Sequence, residues 1–302
     1  ALDQAAPGDT LYLRGGRYPL TLPLTRVYNG ETSRWLTISA YPGETPIIDA
    51  AALRFDVEQR PYSPKGSQPL GAMQHDTGAL HIWGDPHCLR IQGLHIRNSR
   101  RAGISVYGTR APAPQRDGWA ELPASTGVEI LFNTILRTFS MGIISHQTDR
   151  LRIIGNRVIR PHALELGDDP FTEEPSTFVN LAQEAIDLSR NVDFEVAFNV
   201  VSGGSKEAID LISVERGTVH HNYVESCLNG IYLDGWTVPI REVRVHRNFI
   251  RNAYNGIPLA TEGGSPLLGI DISHNIVLET KSSAITISEA TYKAEPTRVQ
   301  GN

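Results

Sequence analysis

The pentapeptide Glu-Ala-Ile-Asp-Leu occurs twice in the chain, at 184–188 and at 207–211. The offset is 207 − 184 = 23 residues. A fixed period of this size marks a solenoid, in which each repeat buries its apolar face only against its neighbours. It is close to one turn of a parallel β-helix, so the repeat predicts two consecutive coils. It also predicts that Asp187 and Asp210 stack on neighbouring rungs of one sheet.

A ladder of asparagines extends the register. Asn133, Asn156, Asn199, Asn222, Asn248 and Asn275 each follow a short alternating apolar strand. Asn tolerates the left-handed conformation and bonds nearby backbone, so these residues are expected to occupy one sharp corner of successive coils. Stacked Asn side chains also support one another along a parallel sheet. A short strand follows each corner, as in Val200–Ser202 and Tyr223–Glu225.

Another strand precedes each Asn strand, and it opens on Gly or Ala: Ala79, Gly103, Gly142, Ala185, Ala208, Gly230, Gly256 and Ala284. Its second position is always apolar and its fourth nearly always, so both face inward by the twofold periodicity of a strand. The third and fifth positions then face out. The third reads His81, Ser105, Ile144, Asp187, Asp210, Tyr232, Pro258, Thr286; the fifth reads Trp83, Tyr107, His146, Ser189, Ile212, Asp234, Ala260, Ser288. Three parallel strands per coil over about eight or more coils make an all-β chain, a right-handed parallel β-helix forming one domain over 1–302. Helical signal is confined to Leu2–Ala6, read as a short N-terminal capping helix, and no closing element is evident at the other end. Two inserts, at about 108–126 and 161–183, are expected to rise beside the outward face as functional loops.

Composition excludes several classes. The formal net charge of -5 and pI near 6.1 give no basic patch for nucleic acid. No apolar run is long enough to span a membrane. Cys88 and Cys227 fall about five rungs apart, or roughly 24 Å at ~4.8 Å per strand, well beyond the ~7 Å reach of a disulfide. Two free thiols are expected. The chain opens without a leader-like segment, which reads as a mature or trimmed end of a secreted or periplasmic monomer.

The outward columns give an aromatic entrance and an ionisable centre. Stacked carboxylates are costly when both ionise, and three arrangements relieve the cost. A calcium ion could bridge oxygens of Asp187, Asp210, Asp234 and Glu207. One Asp could keep its proton as a general acid, or Lys206, Arg190 or Arg216 could screen the pair. Candidate catalytic residues are Asp187, Asp210, Asp234, Tyr232, His146 and Lys206. Candidate substrate contacts are His81, Trp83, Tyr107, Trp236, Arg216 and Glu262. Glu184 and Glu207 precede the Gly/Ala position and are read as corner residues. His220 and His221 lie on an Asn-ladder strand and are read as core or back-face residues.

Pro7 through Tyr18, Trp35 through Glu44, Pro46 through Asp49 and Leu89 through Asn98 resemble the opening of β-helical polysaccharide lyases. The segments are most similar to the calcium-dependent, lysine-based pectate-lyase family, and more distantly to the chondroitinase-B/alginate-lyase family. The resemblance implies an Asp cluster on adjacent rungs that binds calcium, with a Lys removing the proton α to a uronate carboxylate. Asp187 and Asp210 match the first element. No Lys follows them near the groove, and the family's Asp-Gly-Phe element is missing. Asp85-Pro-His87 resembles a short element of alginate epimerases but sits in a turn away from the groove centre.

Three functions follow. A calcium-assisted lyase would act on a uronic-acid glycan with His146, Tyr232 or Lys206 as base. A glycoside hydrolase would use Asp187, Asp210 and Asp234 on a neutral or weakly charged glycan. A non-catalytic glycan-binding β-helix would use Trp83, Tyr107, Trp119 and Trp236 as platforms.

Overall fold

The computed structural model describes residues 1–53, 78–99, 102–108, 125–138, 141–159, 184–203, 206–236, 238–287 and 297–302. Strands repeat in threes, and every ladder between coils is parallel. One sheet, here the ladder sheet, runs through ten strands from Thr10–Leu13 to Arg298–Gln300. The site sheet has nine strands, from Leu24–Asn29 to Ser283–Ile287, and a third sheet has nine shorter ones. The result is a right-handed parallel β-helix, the hand that parallel crossovers take.

The register is the expected one. Ile186 pairs Ile209, Asp187 pairs Asp210 and Leu188 pairs Leu211; the next rung places Ile231, Tyr232 and Leu233 beside Ile209, Asp210 and Leu211. The inward residues Ile186, Leu188, Ile209, Leu211, Ile231 and Leu233 are completely buried. They join one core that runs through the coil interior.

The asparagine ladder is present, with its backbone role shifted by one residue. Phe132, Phe198, His221, Arg247 and His274 adopt the left-handed conformation, as do Gly155 and Gly301, and the Asn follows each of them. Left-handed backbone at a non-glycine costs roughly 1–2 kcal/mol. The buried Asn side chain offsets it. Asn222 donates from Nδ2 to Val196 O and Asn248 Oδ1, both at 2.9 Å. Its Oδ1 accepts from the backbone N and side-chain Nδ2 of Asn199, both at 3.0 Å. The pattern continues to Asn275, whose N and Nδ2 both reach Asn302 Oδ1 at 2.9 Å. The last described rung, Arg298–Gln300 with Asn302, therefore extends the ladder to the C-terminal end.

On the outer face of the ladder sheet, charges alternate by rung. Glu129 lies 2.6 Å from Arg90 and 3.5 Å from Arg152, which reaches Glu195 at 3.1 Å. The expected N-terminal capping helix is only a 3-10 turn at Leu2–Gln4 with no buried residue. Its anchor is Arg26, which donates to the carbonyls of Leu2 and Ala5. Cys88 and Cys227 are free and buried, as expected. Of the two inserts, residues 109–124 and 160–183 lie outside the described residues, as do Trp119 and the predicted side-chain position of Ser288.

Asn222→Ala removes five hydrogen bonds from a buried corner and leaves backbone groups of neighbouring coils unsatisfied. We expect a loss of about 3 kcal/mol, read by denaturant unfolding. A loss below about 1 kcal/mol would mean that the ladder is a bystander to packing.

Candidate active site

The site lies on the site sheet, where the strands Ile186–Ser189, Glu207–Ile212, Asn229–Asp234 and Asn255–Ala260 stack. Asp187, Asp210 and Tyr232 occupy one outward column; Ser189, Ile212 and Asp234 occupy the next. A third column stands at the strand entrance. There Glu207 is beside Asn229, and Asn229 beside Asn255. Asn255 Nδ2 donates to Asn229 Oδ1 at 2.8 Å, and Asn229 Nδ2 donates to Glu207 Oε1 at 2.9 Å. A second amide ladder thus ends on a carboxylate.

The outward face is not the open groove floor that alternation implies. His81, Tyr107, Asp187, Asp210 and Asp234 are all buried, with Asp210 only 3% exposed. Trp83 and Trp236 remain about two-fifths exposed, at 39% and 41%. Burial sets the electrostatics, because a charge removed from water is disfavoured unless compensated.

Carboxylate oxygens of Glu184, Glu207 and Asp210 all lie within 4.8 Å of one another. Burial lifts the Asp210 carboxyl well above the usual range, and Glu184, Asp187, Glu207 and Asp234 lift it further. Burial and then Glu184 push Glu207 up to about 7, while Lys206 and Asn229 pull the other way. Asp234 rises to about 6, mainly by burial, against a hydrogen bond from the Glu262 amide at 3.0 Å.

Lys206 Nζ stands 3.5 Å from Glu207 Oε2. Burial opposes its charge, yet Glu207, Glu184, Asp210 and Glu262 outweigh burial and hold the ammonium above its ordinary pKa. In the metal-free protein such a lysine keeps its proton, and a cation on the same carboxylates would loosen that hold. Tyr232 is also held protonated, by burial and by donating to Glu262 Oε1 at 2.5 Å. Glu262 sits in a turn pressed on the preceding coil. A Cβ at Gly263 would fall 2.0 Å from the Trp236 carbonyl oxygen, so only glycine fits.

His146 goes the opposite way. Burial, with Arg190 adding to it, pushes its pKa down to about 4. Its ring lies 5.5 Å from that of Tyr107, which lies 5.7 Å from His81; His81 Nδ1 meets Ser105 Oγ at 2.6 Å.

The structure redistributes the expected residues. Asp187, Asp210, Asp234, Tyr232, Glu207, Lys206 and Glu262 come together. Arg216 does not: it lies on the ladder sheet, bound to Asp193 at 2.7 Å and to Glu215. Within the three-carboxylate group Glu184 stands where Asp187 and Asp234 were expected. The repeat carried that signal, since a ligand at Glu207 has its 23-residue counterpart at Glu184. The donor set is all oxygen, and Asp210 Oδ1 is buried with no hydrogen-bond partner. Both features suit a hard cation such as Ca²⁺.

No family model matches the chain. It is 31% identical over 149 residues to Pectate lyase L of Paenibacillus polymyxa, covering 46% of this chain and 30% of that protein. It is 37% identical over 82 residues to Pectate lyase PEL9 of Emericella nidulans, covering 27% of this chain and 18% of that protein. The chain thus spans less than a third of either relative. Among solved structures, an alginate lyase from Paenibacillus sp. str. FPU-7 superposes with TM-score 0.57 at 12% identity, over 98% of this chain and 94% of the other. Pectate lyase Pel9A gives 0.50 at 11% identity, over 99% and 70%. These two likenesses show the shared β-helix fold, and the sequence likeness is to β-helical polysaccharide lyases.

The raised Glu207 pKa predicts a pH dependence for the metal-free protein. Between its ordinary value of 4.5 and about 7, the unfolded state ionises before the folded one does. Stability therefore falls as pH rises through that window. In the presence of a chelator, Glu207→Gln should flatten this part of the Tm-versus-pH curve relative to the parent. Parallel curves for the two proteins would contradict the buried, raised carboxyl.

Proposed function

We propose that this chain is a polysaccharide-cleaving β-helix enzyme, a calcium-assisted lyase acting on a uronic-acid-containing glycan. The observation that carries the reading is the buried oxygen cluster of Glu184, Glu207 and Asp210 beside Lys206, on the outward face of a β-helix. The sequence likeness to pectate lyases supports the reaction class. Glu184, Glu207 and Asp210 would hold the cation, with Asp187 adding negative field at Asp210. A bound divalent cation would neutralise the uronate carboxylate and acidify its C5 proton.

The base follows from protonation state, since a proton acceptor must be uncharged at the working pH. His146, neutral at pH 7, accepts the C5 proton. The released electron pair forms the C4–C5 double bond and the C4–O bond breaks. Tyr232 stands three rungs from His146 and gives its one O–H hydrogen to Glu262, so it frames the far side of the cluster, and water protonates the leaving oxygen. Lys206 offers a fixed positive charge to the substrate carboxylate. Trp83 and Trp236 present exposed rings for sugar stacking. A polymeric substrate of this kind is met outside the cell, consistent with a secreted or periplasmic protein.

One observation favours a second reading. Raised Asp210 and Asp234 next to further carboxylates resemble the acid/base pairing of a glycoside hydrolase.

The products separate the two. On a panel of uronate polymers with Ca²⁺, the lyase gives unsaturated, ultraviolet-absorbing ends, and a chelator abolishes them. His146→Ala should lower kcat by about 10²–10⁴-fold. New reducing ends without unsaturation would establish the hydrolase instead. Binding with neither product would leave a glycan-binding protein and overturn both enzymatic readings.

A further inference from the structure

A second cluster, on the ladder sheet, takes no part in the proposed chemistry. His220 ends the strand Glu215–His220, and His221 occupies the left-handed corner at φ 52°. Their Nδ1 atoms face each other at 2.8 Å. The other ring nitrogen of His220, Nε2, lies 3.2 Å from Glu195 Oε1, and Arg152 holds Glu195 Oε2 at 3.1 Å. His246 stacks on His220 with centroids 5.1 Å apart and planes 11° apart. Phe198 stacks on His221 at 5.1 Å and 16°.

An ion-paired Glu195 can only accept a hydrogen bond, so the proton of neutral His220 resides on Nε2. Nδ1 of His220 then presents a bare lone pair to Nδ1 of His221. That lone pair accepts from Nδ1–H of neutral His221, and a cation bound there would release this proton to solvent. Stacking by His246 holds the His220 ring plane, while His221, backed only by the exposed Phe198 ring, lies open to solvent. A carboxylate that binds the distal N–H of a ligating imidazole is the usual support of a metal-bound histidine. Two nitrogens at ~2.0–2.1 Å from tetrahedral zinc lie ~3.4 Å apart, so a slight swing of the exposed His221 ring opens the pair to an ion.

We infer that this corner is a binding site for a borderline transition cation such as Zn²⁺, held by Nδ1 of His220 and His221 and oriented by Glu195. Nitrogen donors distinguish it from the oxygen cluster on the site sheet, which suits harder ions. The site stands whether or not the lyase reading does.

Calorimetric titration of the full chain with ZnCl₂, in excess Ca²⁺ to fill the oxygen cluster, tests it. The expected result is one equivalent of Zn²⁺ that is lost in His221→Asn, a variant chosen because Asn tolerates a left-handed corner. Glu195→Gln should weaken binding by roughly 10–100-fold, and Glu207→Gln should leave it unchanged. In ¹⁵N spectra of the histidine rings, Zn²⁺ should move Nδ1 of His220 while Nε2 keeps its proton. The inference is overturned if the parent takes up no Zn²⁺, if His221→Asn retains the equivalent while folded by circular dichroism, or if Glu207→Gln removes it.

Discussion

Everything in this molecule depends on the stacking of coils in strict register, and the asparagine ladder is what fixes the register. Each buried Asn ties the backbone of its own coil to the coils before and after it. A slip of one residue would break those bonds and turn the apolar column outward. The ladder also explains why bulky residues such as Phe198 and Arg247 accept left-handed backbone. Their strain is local, whereas the amide bonds are shared between rungs.

Register in turn creates the site. A parallel sheet places like residues directly above one another, so a repeated acidic segment must bring its carboxylates together. In water such neighbours would cost little. Here they are buried, and the same geometry that repeats a fold unit becomes an electrostatic problem. The protein meets it in three ways visible at once: Lys206 beside Glu207, the Asn229 amide on Glu207, and raised carboxyls at Asp210 and Asp234. Under the proposed function a cation adds a fourth compensation, and the all-oxygen donor set could hold one. Tyr232 and Glu262 extend the cluster to the following coil, where Gly263 permits the close approach of the turn.

Much of this was legible in the chain. The alternation of small and apolar residues identified inward positions such as Ile186 and Leu188, and the 23-residue offset placed Asp187 against Asp210. Other features were out of reach of pattern alone. Burial of His81, Tyr107 and Asp210 on an outward face is not a property of alternation, because periodicity gives direction and not what lies beyond. Arg216 looked like a screening charge by sequence proximity, yet it lies on the ladder sheet, where Asp193 is nearer. Lys206 is a base candidate by residue type, and in the metal-free protein the carboxylates around it hold its proton in place.

Sequence by itself determined the coil, its register and the residue types on each column, because those follow from short-range periodicity and from the hydrogen-bonding capacity of Asn. Tertiary structure decided which residues act together. Glu184 joins Glu207 and Asp210 through the turn geometry at the strand entrance, and His220 meets His221 and Glu195 through ring orientation at a strained corner. Protonation was likewise decided in three dimensions, since a pKa depends on the dielectric and charges around a group and not on its place in the chain.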